Sequence, residues 1–307
     1  MTATTAPVPA SATVPQERGP GFAGLLLSEW TKIRSVRSTV WSLAVLVVLT
    51  LVFTALFMQM GIANWDKADA AQQAEMRADP TGTILGSGIL LSQLAVCVLG
   101  VMAIASEYST GMIRSSLLAV PRRVPVLAAK ATVFGLLVLA VGELTAFGSF
   151  LIGAPILHGK APVSLGDDGV LRAVAGCGVY LALLGLFALA VGAIVRHTAA
   201  SITVVIGFVL VITPMAGMLP GSVGERIHAW LPTEAGFLIT QQQSRAGDLL
   251  GPWEGLGVLA LWTAVLLAVA AVQLRRSVHV GAVEQQPARG GADEADDEVE
   301  HRGRPEL

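Results

Sequence analysis

Uncharged apolar residues occur in six long blocks along the chain, separated by short polar segments. Each block holds about 18 or more residues, the length that an α-helix needs to cross the hydrocarbon core of a bilayer. Lipid offers no partners to backbone amides, and the blocks lack the alternating ten-residue pattern of a barrel. We therefore predict six transmembrane helices, over residues 40–60, 84–105, 126–152, 171–195, 199–219 and 256–274.

The composition leads to the same fold class. Hydrophobic residues make up 53% and charged residues 14% of the chain, and the mean hydropathy is +0.67. A soluble domain carries about twice that charged fraction and could not bury so much apolar surface. We therefore expect an all-α integral membrane protein. Cys97 and Cys177 fall inside apolar blocks, where we expect packing residues rather than a disulfide or metal ligands.

Charge is distributed unevenly along the chain. Residues 281–307 contain eight acidic and three basic residues, a net charge of −5; because the whole chain sums to −2, the remainder carries +3. Low hydrophobicity predicts that this acidic tail and the leader, residues 1–21, are disordered. The leader has no apolar signal-peptide core, so we expect the first span to act as the targeting element. Lysines and arginines are concentrated at the span ends that lie on the same side of the membrane as the N-terminus. This distribution predicts a cytoplasmic-membrane protein with both termini in the cytoplasm.

The segment 22–38, before the first span, predicts an interfacial amphipathic helix. On a helical wheel its apolar residues fall within an arc of about 140°: Phe22, Leu25, Leu26, Trp30, Ile33 and Val36. Lys32 and Arg34 lie on the other side, an arrangement suited to the lipid headgroup layer. Glu29 falls inside the apolar arc, and two interpretations stay open. Either Glu29 pairs with Lys32 or Arg37 and extends its carboxylate to water, or it contacts a partner subunit.

The segment after the second span, residues 107–123, has an ordered sequence of turn and helix signals. Glu107 lies at the membrane exit, Gly111 permits a sharp turn, and about two helical turns follow. Pro121 then stops the helix before Arg122 and Arg123. The alternative is an ordinary connecting loop, which would need only charged residues and no ordered turn and helix signals. The ordered pattern favours a docking element.

Both segments resemble those of the type-2 ABC exporter permeases. The sequence SEWTKIRSVRST at 28–39 and the sequence SEYSTGMIR at 106–114 are similar to permeases common in high-GC actinobacteria. Pro-Arg-Arg at 121–123 and a third span that opens with Lys130 fit the same pattern. The likeness covers residues 22 to about 275. A departure is Met112-Ile113, where many members carry Gly-Thr-Leu, so the resemblance does not define the local docking chemistry.

The resemblance implies roles and partners. In that family the helix before the first span is an interfacial connecting helix, and Glu29, Trp30, Lys32 and Arg34 belong to it here. The loop after the second span carries the coupling helix that contacts the ATPase, which implies these coupling residues: Glu107, Gly111, Met112, Ile113, Arg114, Leu117 and Arg122. The implied partners are two ABC ATPase subunits, which hold the ATP and Mg, and a second permease copy or a sister permease.

The chain shows no nucleotide-binding sequence of its own. The nearest fragment to a phosphate loop, residues 153–161, has one residue too many between its glycines and has Ala161 where Ser or Thr should bind magnesium. Zinc-protease and serine-hydrolase patterns and paired intramembrane aspartates are also missing from the sequence. We therefore expect a transport subunit that is not an enzyme, with no cofactor, metal or nucleic-acid partner, powered by a separate ATPase or an ion gradient.

Polar residues inside the spans are candidates for a translocation path. A lone carboxylate in the third span costs about 2.5–3.5 kcal/mol on insertion scales, so Glu143 should face protein or water. It either binds a cationic group or a proton, or is a neutral, hydrogen-bonded packing residue. In the related exporters the second and fifth spans line the path between two permease copies, which places Gln93, Thr203 and Thr213 there by resemblance.

Small residues and a proline predict features of the fourth and fifth spans. Gly178, Gly185 and Gly192 recur every seven residues, a stripe that allows close helix packing. Pro214 should kink or break the fifth span. The two spans are joined by only about three residues, which predicts a tight hairpin.

Taken together, these features predict the permease subunit of an ATP-driven exporter that moves an amphipathic drug, antibiotic or lipid-like substrate. Two alternatives stay open. A proton-coupled secondary transporter that uses Glu143 would show inverted repeats with broken helices, and the sequence has no convincing internal repeat. A non-transporting membrane anchor would not require the ordered segment after the second span.

Overall fold

The structure is a computed structural model that describes residues 21–283 apart from 36, 110–122 and 245–246. Throughout these residues the regular structure is helical, without a strand. The α-helices are α1 (Phe22–Ser35), α2 (Arg37–Ala63), α3 (Ala70–Ala78), α4 (Pro80–Ser109), α5 (Arg123–Leu157), α6 (Val170–Val195), α7 (Thr198–Gly207), α8 (Thr213–Gly217), α9 (Gly221–Ala229), α10 (Pro232–Phe237) and α11 (Pro252–Val283). Short 3₁₀ turns lie at Trp65–Lys67 and Leu238–Thr240, and a π-helical turn at Phe208–Ile212 joins α7 to α8.

Six helical segments of the described chain are long and apolar enough to cross a membrane. They are α2, α4, α5, α6, the continuous α7–α8 segment and α11, so the prediction of an all-α protein with six spans is confirmed. Most of the spanning helices extend a few residues past the apolar blocks. At the start of α4, Asp79 accepts the Gly82 N–H at 2.8 Å and caps the helix. The fifth span ends at Gly217, two residues before the predicted limit.

Helix α6 lies at the centre of the bundle and packs against α4, α5 and α11. Glycines set the distance between these helices. A Cβ atom on Gly100 of α4 would collide with the carbonyl oxygen of Gly185, and one on Gly142 of α5 would lie 3.1 Å from the backbone of Gly178. The predicted small-residue stripe is therefore the line along which neighbouring backbones approach α6, which gains dispersion contacts that lipid cannot replace.

The fifth span is interrupted where Pro214 was predicted to disturb it. Pro214 has no N–H, so the carbonyl four residues earlier loses its helical donor. The Thr213 N–H instead reaches back five residues to the Phe208 carbonyl, and the Thr213 hydroxyl donates to the same oxygen at 3.2 Å. The result is the π-helical turn. The Thr213 hydroxyl also lies 2.7 Å from the hydroxyl of Thr233, which ties this turn to α10.

One end of the bundle, which we call the α1 end, gathers α1, the last turn of α4, the first turns of α5 and the α6–α7 hairpin. Arg196 forms that hairpin in the left-handed region, with φ of 59°, and His197 caps α7 by accepting the Ala200 N–H at 3.2 Å. The Arg196 guanidinium lies 5.6 Å from the ring centroid of Tyr108, a cation–π contact. The predicted tight hairpin therefore packs against the end of α4.

The opposite end, which we call the far end, is closed by the segment after α10. Arg172 Nη2 donates to the Gln242 carbonyl at 2.7 Å, and the Gln242 N–H donates to Asp79 Oδ1 at 3.1 Å. These bonds connect the segment to α6 and to the start of α4. A cavity of about 300 Å³ opens beside it, between α9, α10 and residues 247–250.

Candidate functional site

Four charged side chains meet at the α1 end, and we call them the ion cluster: Glu29, Lys32, Glu107 and Lys130. Lys130 Nζ lies 2.6 Å from Glu29 Oε2 and 2.8 Å from Glu107 Oε1. Lys32 Nζ lies 2.6 Å from Glu29 Oε1 and 3.5 Å from Glu107 Oε1. Two lysines thus face two carboxylates, and each of the four groups has two opposite charges beside it.

The ion cluster is largely removed from solvent. Glu29 is 3% exposed, Lys130 7% and Glu107 9%, while Lys32 is half-buried and forms the solvent-facing side. Buried charges are stable only when they are paired and hydrogen-bonded, and removing one partner from such a group is strongly destabilising. The cluster therefore holds its helices in one relative arrangement.

The electrostatics of the two α1 residues reflect this pairing. Burial alone would raise the pKa of the Glu29 carboxyl, but the Lys130 charge and the hydrogen bonds from Lys130 and Lys32 hold that pKa below its usual value. Burial alone would lower the pKa of the Lys32 ammonium, but the bond to Glu29 and the Glu107 charge raise it. Both groups are thus charged across the neutral pH range.

The ion cluster lies at both ends of the segment 110–122. Glu107 is on the last turn of α4, just before this segment, and Lys130 is on the second turn of α5, just after it. Glu29 and Lys32 attach α1 to both. Most of the predicted coupling residues lie outside the described residues: Gly111, Met112, Ile113, Arg114, Leu117 and Arg122. Of the predicted coupling residues, the structure places Glu107, and it does so inside the cluster.

Glu29 occupies the centre of the buried face of α1. Leu25 and Glu29, one turn apart, are the buried residues of that helix, which packs against α5 and α2. Glu29 pairs with Lys32, as one interpretation of the sequence had it, but its carboxylate is enclosed in the protein rather than extended to water. The second partner, Lys130, belongs to the same chain. Trp30 and Arg34 are exposed.

Sequence reasoning did not assign a site role to Lys130. The available signal was an excess of charge at positions that should be apolar: Glu29 within the apolar arc of α1, and Lys130 within the apolar third span. Each is costly to bury alone, so each requires a partner. The pairing itself could not be deduced, because 101 residues separate Glu29 from Lys130 along the chain.

The predicted path residues do not converge within one chain. Gln93 accepts the Tyr180 hydroxyl at 2.9 Å, and Thr213 bonds to Thr233. Thr203 is exposed on α7, and its hydroxyl donates to the Ala199 carbonyl at 3.0 Å. Polar groups in an apolar medium require partners, and each of these residues finds one within the same chain. Whether the residues line a path between two chains stays a prediction.

Glu143 lies near the middle of α5 and is half-buried. Its carboxyl rests against Gly178 of α6, where a Cβ atom would lie 2.6 Å from Glu143 Cδ. The sequence led us to expect that this carboxylate faces protein or water. The structure provides protein contact on one side, through Gly178.

The described residues contain no group of three or more His, Cys, Asp or Glu side chains placed to hold a metal ion. Cys97 and Cys177 are both free thiols buried in the helix core. The structure therefore uses its cysteines as packing residues, and the ion cluster is the principal group of charges that it brings together at the α1 end.

Six helices that are long and apolar enough to cross a membrane, preceded by a short helix fastened to the ends of the second and third, define a polytopic membrane protein. The family model of ABC-2 family transporter proteins matches residues 25–214, more than half of the chain. The chain therefore belongs to the ABC-2 family of transporter proteins, and the resemblance seen in its sequence is confirmed. No curated protein matches the chain. Members of this family are permease components of ABC transporters: membrane subunits that lack a nucleotide site of their own, work with an ATPase subunit and often pair with a second permease copy.

Proposed function

We propose that this chain is the permease subunit of an ATP-driven exporter in the cytoplasmic membrane, with both termini and the α1 end in the cytoplasm. Two ABC ATPase subunits, carrying ATP and Mg, bind at segment 110–122. A second copy of the chain, or a sister permease, completes the translocation path. The substrate class is an amphipathic drug, antibiotic or lipid-like molecule, which suits the apolar spans and the small loops of the far end.

The observation that carries this proposal is the ion cluster. A displacement of segment 110–122 reaches α4 at Glu107 and α5 close to Lys130, because these residues flank the segment on both sides. The short bonds from Lys130 to both carboxylates keep α4, α5 and α1 together. Closure of the ATPase subunits on ATP would then move the three helices as one rigid body. ATP binding would thereby favour one of two helix packings, and the change of packing would convert an inward-facing path to an outward-facing one.

The distribution of basic residues supports the orientation. Lys32, Arg34, Arg37, Arg123 and Arg196 all lie at the α1 end of the spans, and lysine and arginine are enriched in short cytoplasmic segments. Exposed Trp30 on α1 suits the headgroup layer, where aromatic rings collect.

Co-purification tests the ATPase partnership. The tagged chain, extracted in mild detergent, is expected to carry an ATPase at one ATPase chain per permease chain. The charge reversal Arg114→Glu should remove that ATPase, because it alters the docking segment. The matched reversal Arg226→Glu, on exposed α9 at the far end, should retain it. Equal retention by both variants, or ATP hydrolysis by the chain alone, would contradict the proposal.

Transport in inside-out vesicles tests the energy source and the direction together. Exporter activity predicts uptake of an amphipathic dye that requires ATP, stops with orthovanadate and persists when a protonophore collapses the proton gradient. Uptake that ignores orthovanadate and stops with the protonophore would instead identify a gradient-driven carrier.

A further inference from the structure

Glu143 lies at the edge of the lipid-facing side of α5. It follows Leu136 by seven residues, which places the two side chains within about 20° of each other around the helix. Leu136 is 61% exposed and Leu144, the next residue after Glu143, is 62% exposed. In a membrane, exposure of this kind means contact with lipid. The carboxylate is therefore open sideways, toward the hydrocarbon, and near the middle of the span.

On its other side the carboxylate lies in a recess that α6 provides. Gly178 has no side chain, and a Cβ atom there would lie 2.6 Å from both Cδ and Oε1 of Glu143. Any larger residue would push the carboxyl away from α6. Gly142, the neighbour of Glu143, packs against the same glycine, so the two helix backbones lie close together beside the carboxyl.

The carboxyl group in this recess has no opposite charge beside it among the described residues. Glu143 makes no hydrogen bond and no ion pair with any described residue. The two carboxylates of the ion cluster, by contrast, each face two lysines. A lone carboxylate at mid-membrane is costly to keep ionised, and a cation supplied from elsewhere would offset that cost.

We propose that Glu143 and the recess at Gly178 form a binding site, open to the bilayer, for a lipophilic organic cation. The charge of such a ligand would lie against the carboxylate, and its apolar body would lie on half-buried Leu139 and Phe147 of the same helix. A hydrated inorganic cation does not fit, because it would have to shed its water in hydrocarbon. The inference rests on the proposed exporter function and narrows its substrate class to amphiphiles with a positive charge.

Direct binding tests the site without the ATPase, so the result does not depend on the exporter function. The chain in lipid nanodiscs is equilibrated with radiolabelled tetraphenylphosphonium, a lipophilic cation, and separately with tetraphenylborate, an anion of the same size and shape. The wild-type chain should bind the cation in preference to the anion. Glu143→Gln should weaken cation binding by about tenfold or more in Kd and leave the anion unaffected or improved.

A second variant separates the site from a general effect of charge. Gly178→Ala keeps the carboxylate but fills the recess, and we expect it to weaken cation binding as well. Gly257→Ala, at a helical glycine whose Cβ position is open, should bind like the wild type. Size-exclusion profiles and thermal unfolding verify that each variant is folded.

Several results would overturn the inference. They are equal Kd values for wild type and Glu143→Gln, equal binding of cation and anion, or no binding by the wild type. The inference would also fail if Glu143→Gln lost the dimer while its cation binding stayed unchanged. That result would mean that the carboxylate pairs with a cationic side chain of a second chain. The cation-binding test can be interpreted even if no ATPase co-purifies, since the ATPase would bind at the α1 end and not at Glu143.

Discussion

At the residue scale, Lys130 is the group on which the ion cluster depends, because its ammonium bonds both buried carboxylates. Lys32 can approach the same two groups, but it is half-buried and lies 3.5 Å from Glu107. Without Lys130, two carboxylates would share one partly solvated lysine. The contributions of the two lysines to stability should therefore differ even though both belong to the cluster.

Replacement of Lys130 by Met tests this asymmetry. Met keeps the apolar volume of the side chain and removes the charge, so we expect a loss of about 3–5 kcal/mol of unfolding free energy, as for breaking a buried ion pair. Arg34→Met, at an exposed position on α1, should leave stability close to the wild type. Equilibrium unfolding in mixed micelles measures both. Similar unfolding curves for the two variants would show that the cluster contributes little.

The pKa shifts in α1 predict how the stability of the cluster depends on pH. The pKa of Glu29 is lowered from 4.5, so its contribution is fully present above pH 4.5 and is lost as pH falls through the lower folded-state value. The pKa of Lys32 is raised from 10.5, so its contribution is fully present below pH 10.5 and is lost as pH rises through the higher value. The cluster is therefore most stabilising between these limits.

Comparison of the wild type with Glu29→Gln measures the acid limb of this dependence. The difference in unfolding midpoint should be constant from about pH 6 to 8 and should shrink below pH 4.5, as the wild-type carboxylate takes up a proton. Arg34→Met provides the control for changes elsewhere in the chain. A difference that stays constant down to pH 3 would argue against the lowered pKa.

The same residues show what could and could not be predicted at this scale. The unusual position of Glu29 could be recognised, because one carboxylate interrupts an apolar arc. Lys32 was one of the partners that the sequence suggested, but the second partner, Lys130, could not be predicted, since it depends on which side of the bundle α1 occupies. That side is set by tertiary packing on α5, which no periodicity in residues 22–38 encodes.

At the element scale, α6 holds the bundle together through backbone contacts rather than large side chains. The six spans were predictable because a membrane requires long uncharged runs, and the glycine stripe was predictable because its period matches two helical turns. Which helix each glycine meets was not predictable. Gly185, for instance, lies against both α4 and α5, through Val96 and Phe134.

Paired glycine substitutions test the backbone contact between α4 and α6. Gly100→Ala inserts a methyl group against the Gly185 carbonyl, so the helices must separate, and we expect a loss of about 1–3 kcal/mol. Gly257→Ala in α11 meets open space and should gain roughly 0.5–1 kcal/mol from better helix propensity. Unfolding free energies in the same micelles measure both effects. A change in unfolding free energy of the same sign for the two variants would contradict the close packing of α4 on α6.

At the scale of the whole molecule, the two ends of the bundle differ in their chemistry. The α1 end carries the ion cluster and most of the basic residues beside the spans, whereas the far end carries short helices and a cavity of about 300 Å³. The sequence predicted this polarity through the asymmetry of lysine and arginine. It did not predict that α1, the end of α4 and the start of α5 are fastened into one unit.

Single introduced cysteines test the orientation of the whole bundle. Cys97 is fully buried and Cys177 is 4% exposed, so the native thiols should react little with a bulky, membrane-impermeant maleimide. Ser35 on α1 and Ser222 on α9 are both exposed and lie at opposite ends. In intact cells we expect labelling of Ser222→Cys and not of Ser35→Cys, with the second site labelled after permeabilisation. The opposite pattern would place segment 110–122 outside the cell, where no ATP-binding subunit could reach it, and would therefore exclude the exporter as proposed.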